Sequence, residues 1–361
     1  MNSFFTFICP LVISSLVTAY LIPCWISVCN KWNLYEKTDE RKKHRANIPT
    51  LGGLAIYAGI MITFLILGQD LAAHTIKYLM AASLILFFTG FFDDLLDLPA
   101  SKKVVFQLVA AFLISFGGTR ITNLYGMFGI NEMPVIFQYL VTMLFIVGIT
   151  NAYNLVDGID GLAGSLGLVA NMIFGTIFIL NGFTDFAILS FCISGALLGF
   201  LLYNFHPAKI FMGDTGSLII GFLIASQSIN VLSMSSTIPG IEQVSPALVM
   251  AVVFVPVYDV IRVSVIRILT GYSPFKPDRN HVHHMISEQG FGQRVTTMII
   301  VGLNILFVVM AIIFSRLNIN LFIVLSFCLG MIMINTLMMA RLATLWGKLG
   351  GKLYDRKRLA A

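Results

Sequence analysis

Four short stretches of the chain gather carboxylates, imidazoles and glycines in patterns suited to phosphate chemistry. FFDDLLD (91–97) sets Asp93 and Asp94 side by side with Asp97 close behind. Neighbouring carboxylates raise one another's pKa unless a cation sits beside them, and on a helix end they point about 100° apart, so they can serve different partners. NLVDGIDGLAG (154–164) carries Asp157 and Asp160 at a spacing that shares one helix face, and Asn151 and Asn154 precede Asp157 in N-x-x-N-x-x-D spacing. FMGDTGS (211–217) places Asp214 between Gly213 and Gly216, just before a helix start. A helix N-terminus suits phosphate. Asp214 could hold a divalent cation bridging to it, because Mg²⁺ binds by one or two carboxylates plus substrate phosphates. SPFKPDRNHVHHM (273–285) joins His281, His283 and His284 to Arg279 and Lys276, a donor set that resembles a diphosphate clamp.

Each stretch alone has an ordinary reading as a solvated helix end, an N-cap or a polar loop. NLVDGIDG lacks the spacing of a calcium loop. The histidines have no cysteine near them and no standard zinc spacing. What gives the four weight is where they fall.

The elements that must position them are membrane helices. Of 361 residues, 58% are hydrophobic and only 11% are charged, against roughly 25% charged in soluble domains. Eleven apolar runs are long enough to span a bilayer: about 3–27, 51–69, 74–92, 104–120, 134–151, 162–181, 185–203, 216–233, 245–268, 297–315 and 318–340. Continuous runs imply helices, so the fold expected is an all-α integral membrane protein of about 11 transmembrane helices, a single polytopic domain over 1–361. The N-terminal run has no basic leader region and reads as a retained first span. The five cysteines are scattered and read as packing residues.

Alternating the loops across the membrane puts every Lys and Arg of the 23 on one side except Lys77, Arg120 and Arg316. By the positive-inside rule that side is cytoplasmic, with a periplasmic N-terminus and a cytoplasmic C-terminus. All four motifs lie there, in loops at about 28–50, 93–103, 151–161, 204–216 and 269–296. Acids at the interface avoid the cost of about 2.5–3.5 kcal/mol that each would incur at the bilayer centre. A transporter would place its acids mid-span, often in two related halves, and neither feature is seen. No basic domain exists to bind nucleic acid.

FFDD, NLVDGIDG, FMGDTGS and PDRNHVHH, in this order and together with DERKKHRANIPTLGG (39–53), resemble the polyprenyl-phosphate N-acetylhexosamine-1-phosphate transferase family. The resemblance implies transfer of a sugar 1-phosphate from a UDP-sugar to undecaprenyl phosphate, with Mg²⁺ (or Mn²⁺ in its place) and release of UMP. The setting it implies is the bacterial inner membrane, with the active site facing the cytoplasm. It further implies that Asp214 binds the metal with Asp93, Asp94 and Asn154, and that Asp93 or Asp94 orients or deprotonates the lipid phosphate. Asp157, His281, His283 and His284 are implied in catalysis. Asp160, Asn204 and Phe211 would line a uridine pocket. Lys102, Arg279, His281, His283 and His284 would lie near the diphosphate, with His44 also at the substrate. A homodimer is implied as well. The spaced H-x-H-H is similar to members that use UDP-N-acetylglucosamine to start O-antigen, enterobacterial common antigen or teichoic acid synthesis. The branch that transfers phospho-MurNAc-pentapeptide usually has three consecutive histidines. Other UDP-N-acetylhexosamines remain alternative donors.

Overall fold

The computed structural model describes residues 3–32, 34, 48–71, 73–237, 246–271, 281–314 and 320–332. Among them every long element is helical. In chain order these are α1 (Ser3–Trp32), α2 (Gly52–Leu67), α3 (His74–Leu96), α4 (Ala100–Phe116), α5 (Val135–Val156), α6 (Leu162–Leu180), α7 (Thr184–Asn204), α8 (Gly213–Thr237), α9 (Pro246–Leu269), α10 (Val282–Ser287) and α11 (Gln293–Ile313). A shorter apolar helix, α12, covers Asn320–Ile332. Lipid offers no partner to a bare N–H or C=O, so apolar runs of this length satisfy their backbone internally.

Apart from the short α10, these helices overlie the eleven apolar runs. Eight of them, α1, α3, α5, α6, α7, α8, α9 and α11, are long and apolar enough to cross a membrane. α2 and α12 are apolar but shorter. α4 starts earlier than the apolar run suggests, at Ala100 behind Pro99, so Lys102 and Lys103 stand in its first turn and not in a loop. Large apolar side chains such as Leu16, Leu144 and Leu202 project outward, as a lipid-facing surface requires.

α8 is the hub. It packs on α2, α3, α5 and α6, and 83% of its apolar stretch is buried, against 28% in α1. Two glycines let its neighbours approach at backbone distance. A Cβ on Gly53 of α2 would lie 2.2 Å from the Gly216 nitrogen, and one on Gly90 of α3 would lie 2.5 Å from the Thr215 Cα. These contacts draw the end of α3, which carries Asp93 and Asp94, onto the start of α8, which carries Asp214. A buried amide pair, Gln227 Nε2 to Asn171 Oδ1 at 2.8 Å, ties α8 to α6 deeper in the bundle.

Candidate active site

The α3–α8 junction is built from one carboxylate and a helix N-terminus. Asp94 Oδ1 accepts the Asp214 N–H at 2.7 Å, while Oδ2 accepts the Thr215 N–H at 3.0 Å and the Thr215 hydroxyl at 2.5 Å. The first amides of a helix have no partner within it, and a carboxylate is the favoured acceptor for them. The sequence suggested Asp94 as a metal ligand and catalytic group; in the structure its oxygens cap α8. Gly213, with φ +70°, makes the turn that lets the chain enter the helix so close to Asp94.

Asp93 points elsewhere. Its Oδ1 accepts the Leu98 N–H at 2.7 Å, which fixes the α3–α4 turn, and its Oδ2 meets the Lys103 ammonium at 2.9 Å. The same ammonium reaches Asp214 Oδ2 at 2.8 Å. Asn154 of α5 donates to Asp214 Oδ1 at 2.8 Å and to the Ser217 hydroxyl at 2.9 Å. One cation thus bridges two acids brought together from α3 and α8, with an amide from α5 holding the second. Sequence reasoning singled out Lys102, which is exposed, and missed Lys103, its half-buried neighbour. The usable signal was helical phase: a helix starting at Ala100 presents only one of two adjacent lysines to α3.

Beside this cluster opens a polar cavity of about 250 Å³, lined among others by Asp94, Asn154, Asp157, Asp160, Asn204, Phe211 and Asp214. Asp160 is held by its neighbours: Oδ2 accepts the Ala208 N–H at 3.1 Å and faces His206 Nδ1 at 2.7 Å. Asn204 bridges two loops, accepting the Gly161 N–H at 2.9 Å and donating to the Ile210 carbonyl at 2.8 Å. Phe211 is fixed through its backbone, with its N–H to the Pro49 carbonyl at 2.7 Å and its carbonyl to the Gly52 N–H at 3.0 Å. His206, the partner of Asp160, is a residue that the motifs did not single out.

The histidines lie behind the cavity wall at Gly158, against which His283 packs. His281 Nδ1 lies 2.9 Å from Asp259 Oδ2. His283 is buried, its Nε2 has no hydrogen-bond partner among the described residues, and a Cβ on Gly158 would lie 2.5 Å from that atom. Burial pushes the His283 imidazole down to about 3, helped by the nearby His284, so it is neutral at ordinary pH. His284 packs on His283 with ring centroids 4.3 Å apart. His44 and Arg279 lie outside the described residues.

The donor set can be tested against a divalent ion. Among the described residues, no group of three or more His, Cys, Asp or Glu side chains is placed to share a metal. Two carboxylate oxygens, of Asp93 and Asp214, do converge on a single cation, Lys103, and Asp214 lines a polar cavity. Two carboxylates with room for phosphate oxygens is the protein share that Mg²⁺ typically takes, so the residues fit that ion in type and number.

Comparison with known proteins follows the same lines. The family model of glycosyl transferase family 4 matches residues 76–232, which include Asp93, Asp94, Lys103, Asn154, Asp157, Asp160, Asn204, Phe211 and Asp214. The undecaprenyl-phosphate alpha-N-acetylglucosaminyl 1-phosphate transferase of Escherichia coli (strain K12) is 34% identical over 279 residues, 76% of this chain and 74% of its own. The probable undecaprenyl-phosphate N-acetylglucosaminyl 1-phosphate transferase of Bacillus subtilis (strain 168) is 31% identical over 320 residues, 87% of each chain. A match running through nearly the whole chain, not through one motif, means that this protein belongs to glycosyl transferase family 4, among the polyprenyl-phosphate N-acetylhexosamine-1-phosphate transferases.

Proposed function

We propose that the protein transfers N-acetylglucosamine 1-phosphate from UDP-N-acetylglucosamine to undecaprenyl phosphate, giving undecaprenyl-diphospho-N-acetylglucosamine and UMP. The observation that carries this reading is the polar cavity lined by Asp214, Asp160, Asn204 and Phe211, with Lys103 and Asp93 joined to Asp214 beside it. A nucleotide sugar needs that pairing: acids and a lysine where a divalent ion would offset the diphosphate charge, and a flat, hydrogen-bonding end for the base. The spaced H-x-H-H favours the N-acetylglucosamine donor over UDP-MurNAc-pentapeptide. The basic end of the bundle, which holds the cavity, faces the cytoplasm, with the N-terminus outside and eleven spans in all.

A lipid phosphate oxygen attacks the β-phosphorus of the donor. The bond from that phosphorus to the oxygen bridging the α-phosphate breaks, and UMP leaves with the electron pair. Both reactants are anions, so the protein's task is charge neutralisation and alignment. Asp214 and Asp93 would hold Mg²⁺, with Mn²⁺ as a substitute, and the ion supplies Lewis-acid stabilisation of the diphosphate. Lys103 adds a positive charge beside the same two acids. Asp157 faces the cavity between the acid cluster and Asp160. Phe211 stacks on uracil, and Asp160 and Asn204 address its edge. Attack is direct, because the lipid phosphate is already anionic near neutral pH and needs no covalent relay. Trapping a phospho-enzyme with UDP-sugar alone would refute that.

An apolar cavity of about 340 Å³ offers a place for the isoprenoid chain. It lies between α5 and α9, lined by Leu144, Gly148, Ala152, Val253, Val257 and Ile261 among others. Its lining runs along α5 from Val141 to Ala152, toward the helix end that carries Asn154.

The test is to incubate purified protein with undecaprenyl phosphate, Mg²⁺ and radiolabelled UDP-N-acetylglucosamine. Lipid-phase label with matched UMP release is expected, lost with EDTA and in Asp214→Asn. Label only from another UDP-sugar would overturn the donor. No reaction with any UDP-sugar would overturn the transfer itself.

A further inference from the structure

Asp259 belongs to none of the sequence motifs, yet it is the anchor of one. It lies in α9 and is buried. Its Oδ2 faces His281 Nδ1 at 2.9 Å. Its Oδ1 accepts the Arg262 Nη2 at 3.0 Å and the Val282 N–H at 3.0 Å. A buried carboxylate needs a compensating charge, and Arg262, one turn on, supplies it. A carboxylate opposite Nδ1 fixes the orientation of the ring, the role that acids play behind functional histidines.

The contacts continue from there. The His281 and His283 rings lie within 10° of parallel, with centroids 5.8 Å apart. His283 in turn abuts Gly158, between Asp157 and Ile159 on the cavity wall. A chain of packed groups runs from α9 through two imidazoles to the loop that carries Asp157 and Asp160. The Val282 N–H bond fixes the backbone at the point where this element joins α9.

We propose that Asp259 is a positioning residue for the transfer reaction: it holds His281 Nδ1 and the Val282 backbone, and so fixes the histidine motif against the Asp157–Asp160 loop. The proposal rests on the transferase reading, and its test has one arm that needs no turnover. In the kinetic arm, Asp259→Asn should lower kcat/KM for the UDP-sugar by about 30-fold, in the range of lost orienting partners. Added to His281→Ala it should cost less than about twofold, because a residue acting through another has no effect once that other is gone. A full and equal loss in both backgrounds, or no loss in either, would overturn it.

In the second arm, diethyl pyrocarbonate modification is followed histidine by histidine by mass spectrometry. In the wild type, His281 should react at least about tenfold more slowly than His206, whose side chain is 43% exposed. Asp259→Asn should bring it within about threefold of His206. Unchanged protection in the variant, or His281 as reactive as His206 in the wild type, would overturn the lock. The wild-type comparison holds even where the variant does not fold. A wild type inactive on every UDP-sugar would instead refute the transferase reading, and the modification rates would still decide the role of Asp259.

Discussion

Asp94 caps the helix that presents Asp214: Asp94 Oδ1 accepts the backbone N–H of Asp214 itself at 2.7 Å. Its neighbour Asp93 turns the other way, to the Lys103 ammonium that also binds the Asp214 side chain. The paired acids therefore do different work. Asp94 sets the position of the Asp214 backbone, and Asp93 shares the charge of its side chain.

This division predicts two distinct mutant phenotypes. Asp94→Ala removes an N-cap and should cost about 1 kcal/mol of stability, lowering the melting temperature along with activity. Asp214→Asn should abolish turnover with melting unchanged, since its side chain is partly exposed beside the cavity. Melting curves in detergent beside the transfer assay separate them; identical phenotypes would reject the division.

Lys103→Met leaves two carboxylates facing each other across the place of a cation. Activity should fall about 100-fold, the scale of losing one electrostatic group at a reacting phosphate. Lys102→Met should stay within about twofold of wild type, because that side chain is exposed. Initial rates for both variants settle the comparison, and a greater loss at Lys102 would overturn it.

Gly158→Ala should disturb catalysis more than folding. The added methyl would sit 2.5 Å from His283 Nε2, so the imidazole has to move. A loss of about tenfold in kcat is expected, with little change in melting temperature. Wild-type kcat would show that the contact is immaterial.

Neutral, buried His283 gives the fold an acid-side weakness. Its folded pKa is depressed to about 3 by burial, whereas the unfolded chain takes up a proton near pH 6.5. The native state therefore binds fewer protons, and stability is full above about pH 6.5. It falls by about 1.4 kcal/mol per pH unit as the pH drops below that value toward 3. His283→Gln should flatten this slope, as read by melting temperature between pH 7 and pH 5. An unchanged slope would place the acid sensitivity elsewhere.

Asp160→Asn replaces a carboxylate held by His206 and the Ala208 N–H at the cavity wall. KM for the UDP-sugar should rise about tenfold with kcat little changed, as expected for loss of binding made equally in ground and transition states. A fall in kcat at constant KM would move Asp160 from the base to the reacting phosphates.

The sequence by itself determined the helices and the inventory of the site. A chain with 58% hydrophobic residues in long runs has one way to satisfy its backbone in lipid. Acids, histidines and glycines concentrated at one set of helix ends point to phosphate chemistry there before any distance is known. Tertiary structure decided which member of each motif does what. Lys103 rather than Lys102, Asp94 as a cap, and Asp259 behind His281 all depend on partners far along the chain. Asp94 meets a residue 121 positions away, and Asp259 one 22 positions away. Side-chain charge and hydrogen bonding act over a few ångströms. Residue type alone therefore says that a carboxylate needs a donor, and only the packing of α3, α8 and α9 says which donor it finds.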